Sequence, residues 1–204
     1  MDADLVMVGG GLSGLVVATE VAQRGKRVLL LEQEPYLGGQ AFWSFGGLFL
    51  VDSPDPRRLG VRASAALACR GWVGAAGAAR EGAYWGRRFA EAYLEFAAGE
   101  KRAWLASLGV RFFPVVGWAE RGGGLATGHG NSDPRFHIAW GTGPGLLAPF
   151  LRKVEALKAE GTLRVLLRHR VEEVLVEGGK AVGVAGVVLE EDPKPRGAPT
   201  SRKA

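Results

Sequence analysis

The sequence predicts an α/β fold built on a parallel β-sheet, and three consecutive segments near the N-terminus carry this prediction. The run "DLVMVGG" is short, almost wholly apolar and closed by glycines, which is typical of a strand buried on both faces. Residues 12–23 change to helical spacing, and "KRVLLLE" follows as a second buried strand. A strand, a helix and a strand within about thirty residues indicate a βαβ crossover, which makes the two strands parallel.

The middle of the chain is predicted to be mainly helix and loop. Helical spacing occurs in "DPRRLGVRASAALACRGW" and, more strongly, in "YWGRRFAEAYLEFAAGEKRAWLASLG". The short strand "VRFFPVVGW" contains Pro114, which would confine it to a sheet edge because proline lacks an N–H donor. A helix over residues 146–160, with Thr142 as its candidate cap, then precedes a late β-hairpin or meander that turns at Gly178–Gly179.

These segments predict one interrupted domain over residues 1–189. Residues 1–52 hold the βαβ unit and a glycine-pair loop, 53–145 form the helical and loop insertion, and 146–189 add a helix and strands. The tail, 190–204, has almost no large apolar residues and is predicted to be disordered.

Composition narrows the class of protein. The 26 Lys and Arg residues are scattered among 21 acids, which favours a mixed solvated surface over a nucleic-acid-binding face. We expect no membrane-spanning segment, because no long uninterrupted apolar run occurs. The one cysteine, Cys69, cannot form an internal disulfide, which suits a reducing compartment, so we expect a cytoplasmic protein. Three histidines and one cysteine fit no tetrahedral zinc spacing, so no metal site is predicted.

The motif "GGGLSG" lies between the first strand and the first helix and predicts a dinucleotide site. Gly9 permits a tight turn, Gly11 lets a diphosphate approach the backbone, and Gly14 lets the helix pack closely on the strand. The N-terminus of the helix offers free N–H groups and a positive dipole end to phosphates. Glu32 ends the second strand, where a carboxylate can accept hydrogen bonds from ribose hydroxyls and disfavours a 2′-phosphate.

The loop after Glu32, "QEPYLGGQAFWSFGG", favours FAD over NAD. It contains two glycine pairs, at 38–39 and 46–47, where backbone could approach a ligand without intervening side chains. An extended ligand that reaches beyond the first two strands, as FAD does, would need such access. A simple NAD-binding module is the alternative, in which the chain would usually continue into another helix and strand.

Several longer stretches resemble one group of flavoproteins. "YLGGQAFWSFGGLFLVDSP", "GHGNSDPRFHIAWGTGPG" and "VEGGKAVGV" are similar to bacterial FAD-binding dehydrogenases of the fumarate reductase and 3-ketosteroid dehydrogenase family. The resemblance implies the N-terminal portion of a Rossmann-like, glutathione-reductase-type FAD domain with an incomplete sheet. It also implies an oxidoreductase that dehydrogenates carbon–carbon bonds of a small molecule, steroid-like or otherwise apolar.

The resemblance implies FAD contacts along most of the N-terminal unit. One position departs from the family, since Ala41 stands where relatives often place a hydroxyl residue. The implied residues are Gly9, Gly11, Leu12, Ser13 and Gly14 at the diphosphate, Glu32 and Gln33 at the adenosine ribose, Gly38, Gly39, Gln40, Ser44, Gly46 and Gly47 on the flavin side, and Val171 at the adenine.

No catalytic residue is assigned, because the tyrosines and arginines that act in the family lie mostly beyond residue 204. A truncated chain is expected on this ground, and a catalytically inactive remnant of such a flavoprotein is a further hypothesis. His129 and His137 lie in a predicted polar loop, where they are either near the substrate or ordinary loop histidines bonded to backbone.

Overall fold

The computed structural model describes residues 2–76, 84–118 and 134–204. The chain forms two compact units, one made of Met1–Trp43 with Leu147–Ala204 and the other of Ser44–Leu146. In chain order the elements are β1 (Leu5–Val8), α1 (Leu12–Ala22), β2 (Val28–Glu32), a 3₁₀ helix (Gly39–Trp43), β3 (Gly47–Phe49), α2 (Pro54–Arg58), α3 (Ala65–Ala76), α4 (Tyr84–Ala98), α5 (Lys101–Ser107), β4 (Phe112–Gly117), β5 (Phe136–Ala139), α6 (Thr142–Ala159), β6 (Leu163–Leu167), β7 (His169–Glu177) and β8 (Lys180–Val188).

The first unit is built on a parallel sheet with the strand order β1-β2-β6. Strands β1 and β2 run parallel with α1 as the crossover between them, which confirms the predicted βαβ unit and the α/β fold class. The structure differs from the sequence-based reading at β6, which joins the parallel sheet beside β2 and is not part of the late hairpin. The pairing needs a long connection between β2 and β6, which local sequence patterns do not reveal.

Helix α1 packs on the sheet through the stripe that the sequence indicates. Leu15, Ala18 and Ala22 are all buried, and the small size of the alanines lets the helix approach the strands closely. Gly25 follows the helix with φ +77°, a conformation that glycine adopts without steric cost.

Strands β7 and β8 form a separate two-stranded antiparallel hairpin in the same unit. Its turn residues Gly178 and Gly179 both have positive φ, at +54° and +77°. Two consecutive positive φ angles give the turn a backbone twist that matches the right-handed twist of the flanking strands. This explains the glycine pair and confirms the predicted turn.

The second unit contains an antiparallel sheet with the order β3-β5-β4 and the helices α2 to α5. Strand β4 lies at the edge of this sheet, as the presence of Pro114 predicts. Its apolar core consists of Phe49, Val51, Ala68, Leu94 and Ala97, with Cys69, Trp72 and Tyr93 packed against it.

Two features of the helices differ from the sequence-based reading. The long helical stretch that begins at Tyr84 is divided into α4 and α5 around Gly99, a residue that weakens helices. Thr142 does not cap α6 with its side chain, because its hydroxyl donates to the carbonyl of the preceding residue, Gly141. Thr142 is instead the first residue of the helix and has φ +53°.

The tail, for which composition predicts disorder, makes polar contacts in the structure. The N–H of Ser201 donates to the Asp192 carboxylate at 2.5 Å, and the N–H of Glu190 donates to the carbonyl of Lys203 at 2.9 Å. Composition predicted disorder because apolar residues are few, but backbone and charged groups supply the contacts here.

Candidate functional site

In the glycine loop between β1 and α1, the steric surroundings differ from one glycine to the next. Gly9 has φ +94°, and its N–H donates to the carbonyl of Leu31 on β2. A methyl group added to Gly14 would lie 1.9 Å from the carbonyl oxygen of Gly9, so only glycine fits there. A methyl group added to Gly11 would meet no other heavy atom within 4 Å. Gly11 therefore borders open space, whereas Gly14 is required by packing.

The N-terminus of α1 follows this loop directly, and no side chain caps its free N–H groups. Gly11 is the N-cap, no side chain makes a capping hydrogen bond, and the first turn contains no acidic residue. Leu12 and the exposed Ser13 begin the helix. The first N–H groups and the positive end of the helix dipole are thus suited to a bound anion.

Glu32 is buried at the end of β2, and its carboxylate organises the glycine loop. One carboxylate oxygen accepts a hydrogen bond from the N–H of Gly10 at 2.6 Å, and the other accepts one from the N–H of Glu34 at 2.8 Å. Each carboxylate oxygen has a further lone pair, so the group can still accept a hydrogen bond from a hydroxyl.

Gly10 is closely packed at a position that the sequence motif did not single out. A methyl group on Gly10 would lie 2.3 Å from the end of the Leu37 side chain and 3.3 Å from the Glu32 carboxylate, so these side chains would have to move. The G-x-G-x-x-G pattern leaves this position variable, so only the contact across the loop reveals this packing.

The first glycine pair after Glu32 packs directly on the glycine loop. The N–H of Gly38 donates to the carbonyl of Gly10 at 2.7 Å, and a methyl group on Gly39 would lie 3.1 Å from the Cα of Gly11. Gly38 and Gly39 both have positive φ, at +117° and +51°. The structure therefore brings the two glycine motifs of the first unit together, and Gly38 and Gly39 adopt backbone angles that favour glycine.

A cavity of about 730 Å³ opens at the carboxyl ends of β1 and β2 in the first unit. Its volume lies within the range typical of ligand pockets, and the carboxyl end of a parallel sheet is where such ligands bind. Six residues predicted from the sequence line it: Gly9, Glu32, Gln33, Gly39, Gln40 and Val171. Gly11, Leu12, Ser13, Gly14 and Gly38 belong to the adjoining loop and helix start but are not in its wall.

The cavity also has walls that the sequence reading missed. His169 and Arg170 lie at the start of β7, beside the predicted Val171, and Tyr36 and Trp43 lie in the loop after β2. Trp43 lies between the two glycine pairs in the sequence. The remaining wall comes from the tail, at Pro195, Arg196, Gly197, Ala198, Pro199, Thr200 and Arg202.

Ser44, Gly46 and Gly47 belong to the second unit, where local packing accounts for both glycines. Gly46 has φ +65°, and a methyl group there would lie 2.5 Å from the Thr142 backbone. A methyl group on Gly47 would lie 1.9 Å from the Phe136 ring. The Ser44 hydroxyl accepts a hydrogen bond from the N–H of Gly46 at 3.1 Å. Their predicted roles at the flavin remain predictions.

His137 is part of β5 and fully buried, which corrects its placement in a polar loop. Its Nδ1 lies 2.9 Å from the carbonyl of Arg135, which can only accept, so Nδ1 carries the proton. Nε2 then accepts a hydrogen bond from the Ser53 hydroxyl at 2.7 Å. Burial lowers the pKa of His137 below its usual value. The positive charge of Arg102 lowers this pKa further, whereas the negative charge of Asp55 raises it. His129 lies outside the described residues.

Lys101 is a second buried ionisable group of the second unit. Its ammonium donates to the Tyr93 hydroxyl at 2.7 Å and to the carbonyl of Phe49 at 3.2 Å, and it lies 4.4 Å from the centre of the Tyr93 ring. Because burial disfavours the charged form, the pKa of Lys101 falls to about 8. Burial likewise raises the pKa of Tyr93.

Across residues 2–76, 84–118 and 134–204, no group of three or more His, Cys, Asp or Glu side chains is arranged to hold a metal ion. Within the same ranges, every helix is too short or too polar to cross a bilayer.

Comparison with known proteins supplies independent information. Residues 4–203 match the family model described as an FAD binding domain. A KsdD-like steroid dehydrogenase of Mycobacterium tuberculosis is 56% identical over 206 residues, which cover 100% of this chain and 36% of that protein.

Two solved structures share the fold at low sequence identity. A 3-ketosteroid-Δ4-(5α)-dehydrogenase from Rhodococcus jostii RHA1, in complex with 4-androstene-3,17-dione, superimposes with a TM-score of 0.70 at 22% identity, over 91% of this chain and 42% of that one. The quinol fumarate reductase of E. coli gives a TM-score of 0.68 at 18% identity, over 91% and 29% of the two chains.

Proposed function

The chain belongs to the FAD-binding domain family, and from that membership we propose that it is the nucleotide-binding part of an FAD-dependent dehydrogenase acting on carbon–carbon bonds. The membership confirms the resemblance and the FAD cofactor predicted from the sequence. The chain spans about a third of the length of the curated relatives it matches, so the activity is proposed for the protein that contains this domain.

One observation carries the binding role: Gly11 borders open space at the N-terminus of α1. A methyl group there would touch no protein atom within 4 Å, while Gly14, three positions later, is enclosed by protein. Packing explains Gly14 but gives no reason for glycine at Gly11, whose φ of −69° other residues adopt readily. A ligand that lies against the backbone gives that reason, and the residues present therefore fit a diphosphate.

Each part of the first unit would then have a defined task. The uncapped start of α1, at Leu12 and Ser13, would bind the diphosphate through N–H groups and the helix dipole. Glu32 would accept a hydrogen bond from a ribose hydroxyl while it keeps the loop at Gly10 in place. The flavin itself would supply the hydride-accepting chemistry when bound, and the protein positions and shields it.

The substrate class is proposed from the relatives. The M. tuberculosis protein is called a KsdD-like steroid dehydrogenase, and the R. jostii structure holds a steroid. We therefore propose a small apolar substrate of the steroid type.

The single cysteine is consistent with a protein that works in the cytoplasm.

Titration of the purified chain with FAD, followed by calorimetry and the visible spectrum of the flavin, tests the proposal. Wild-type protein should bind FAD and gain thermal stability from it, because a ligand that binds only the folded state stabilises it. Gly11→Val should bind at least ten-fold more weakly, since its side chain would fill the space of the diphosphate.

The melting temperature of Gly11→Val without FAD should fall by no more than the loss of a glycine N-cap costs, because a methyl group at this position would meet no other heavy atom within 4 Å. A parallel titration with NAD separates the two cofactors. Stabilisation by NAD alone, or equal FAD affinity in the two proteins, would overturn the assignment.

A further inference from the structure

The segment 192–202, here called the C-terminal strap, is fastened to the end of β2 by Arg168. This arginine is buried, and its guanidinium donates to three carbonyl oxygens. Nε donates to Glu190 at 2.9 Å, Nη1 to Gln33 at 3.0 Å, and Nη2 to Ser201 at 2.6 Å. One side chain thus joins Gln33, the residue that follows Glu32, to Ser201 of the strap and to Glu190, which precedes the strap.

A second set of contacts joins the strap to the loop after β2. Glu34 accepts a hydrogen bond from the Thr200 hydroxyl at 2.7 Å and forms an ion pair with Arg202 at 2.6 Å. The hydroxyl of Tyr36 donates to the carbonyl of Lys194 at 2.5 Å. The strap is therefore tied at several points to one short stretch of chain.

Arg196 makes the central contact between the strap and the glycine-pair loop. Its guanidinium carbon lies 4.1 Å from the centre of the Phe42 ring and 4.8 Å from that of Tyr36. Its Nη2 donates to the carbonyl of Leu37 at 2.9 Å, next to Gly38. A planar cation close to two rings combines cation–π attraction with a directed hydrogen bond, and lysine cannot reproduce the planar stacking.

Arg196 contacts residues next to the glycine pair that packs on the glycine loop. The carbonyl of Leu37 belongs to the peptide whose N–H, at Gly38, donates to the carbonyl of Gly10. Phe42 lies in the 3₁₀ helix that begins at Gly39. Arg196 therefore acts on the conformation of Gly38 and Gly39 from the side opposite to the glycine loop.

The strap also encloses the cavity. Seven of its residues form part of the cavity wall, together with the strand ends that carry Gly9 and Glu32. Gly197 has φ +96°, and a methyl group there would lie 3.1 Å from the Trp43 ring, another wall residue. The wall thus joins two segments more than 150 residues apart in the sequence.

We propose that the C-terminal strap is part of the dinucleotide site and that Arg196 is a positioning residue, which holds the Gly38–Gly39 backbone in its binding conformation. The inference rests on the proposed function, because it concerns the same cavity. The arginines of the strap also add positive charge to the cavity, which favours an anionic ligand. Without the strap, one side of this cavity would be open.

The test compares Arg196→Met with Arg164→Met, a matched loss of charge at an exposed residue of β6 that does not line the cavity. FAD affinity is measured by calorimetry for both variants and the wild type. Hydrogen exchange of the peptide that covers residues 33–43 is measured without FAD. Arg196→Met should bind FAD at least ten-fold more weakly and exchange faster in this peptide, while Arg164→Met should match the wild type in both. Arg196→Lys should bind with an intermediate affinity, because it keeps a donor for Leu37 but loses the planar stacking.

The outcomes separate the two proposals. If the wild type binds no FAD, the proposed function fails. If the wild type binds FAD and Arg196→Met binds equally well, only the role of the strap is overturned. Faster exchange in Arg196→Met with unchanged FAD affinity would also overturn it, because the strap would then stabilise the loop without contributing to the site.

Discussion

The carboxylate of Glu32 accepts a hydrogen bond from the backbone N–H of Gly10 at 2.6 Å. This contact connects the end of β2 to the glycine loop that follows β1. The residue predicted to bind the ribose is therefore also a structural part of the loop predicted to bind the diphosphate.

Replacing Glu32 should accordingly weaken both the fold and the cofactor site. Glu32→Gln retains one acceptor oxygen, so either Gly10 or Glu34 loses the partner of its N–H. A buried donor without a partner costs about 1–3 kcal/mol, and we expect the free energy of unfolding to fall by that amount. Urea denaturation without FAD measures it, with the exposed Glu160→Gln as the control. Equal stability of the two variants would contradict this role of Glu32.

Gly14→Ala should destabilise the protein whether or not FAD is present. The added methyl group would lie 1.9 Å from the carbonyl oxygen of Gly9, so α1 must move away from the loop. Overpacking of this kind costs about 1–3 kcal/mol, which alanine's better helix propensity offsets only in part. Thermal unfolding of Gly14→Ala and Gly11→Ala, both without FAD, provides the comparison. Gly14→Ala should melt at the lower temperature, since Gly11→Ala loses only the preference for glycine at an N-cap, and an equal loss in Gly11→Ala would show that its surroundings are not open.

Lys101 should make the protein more stable as the pH rises from 8 towards 10. The pKa of Lys101 is about 8 in the folded state, against 10.5 for an ordinary lysine, so the unfolded chain binds more protons in this window. Stability rises with pH wherever the unfolded state binds more protons, and the gain should be about 1–3 kcal/mol. Above pH 10 the raised pKa of Tyr93 acts in the opposite direction.

Denaturant titrations from pH 7 to 10 on wild type and Lys101→Met measure this effect. Methionine cannot titrate, so the rise attributable to Lys101 should be missing from the variant. Parallel pH profiles for the two proteins would show that the ammonium is less desolvated than its buried position indicates.

His137 should contribute a loss of stability when the pH falls from 6.5 to 5. Burial lowers its pKa in the folded state, so the unfolded chain takes up a proton first as the pH drops. The contribution is complete above the ordinary pKa of histidine and is lost as the pH falls towards the lower folded value. His137→Gln should have a flatter profile over this range, which equilibrium unfolding at several pH values can detect. A variant as acid-sensitive as the wild type would rule out His137 as the cause.

Much of the first unit could be predicted from the sequence because its signals are local. The strand β1, the helix α1 and the strand β2 are contiguous, and their order alone makes the pair parallel. The glycines at 9, 11 and 14 were identified by spacing. Pro114 placed β4 at a sheet edge for an equally local reason, the missing N–H.

The features that could not be predicted from the sequence depend on contacts between distant residues. Gly10 packs against Leu37 and Glu32, and no pattern around Gly10 contains that information. Strand β6 pairs with β2 across more than 130 residues, and the buried ring of His137 contacts Ser53, a residue distant in the sequence.

The sequence by itself determined the βαβ unit, the dinucleotide motif and the choice of FAD, because periodicity, turn chemistry and glycine spacing act over a few residues. Tertiary structure alone decided the walls of the cavity and the path of the tail. Residues 192–202 lack the apolar side chains that would announce a packed segment, and Arg168, Glu34 and Tyr36 hold them by hydrogen bonds and charge. Such polar contacts require partners brought together by the fold, so composition could not reveal them.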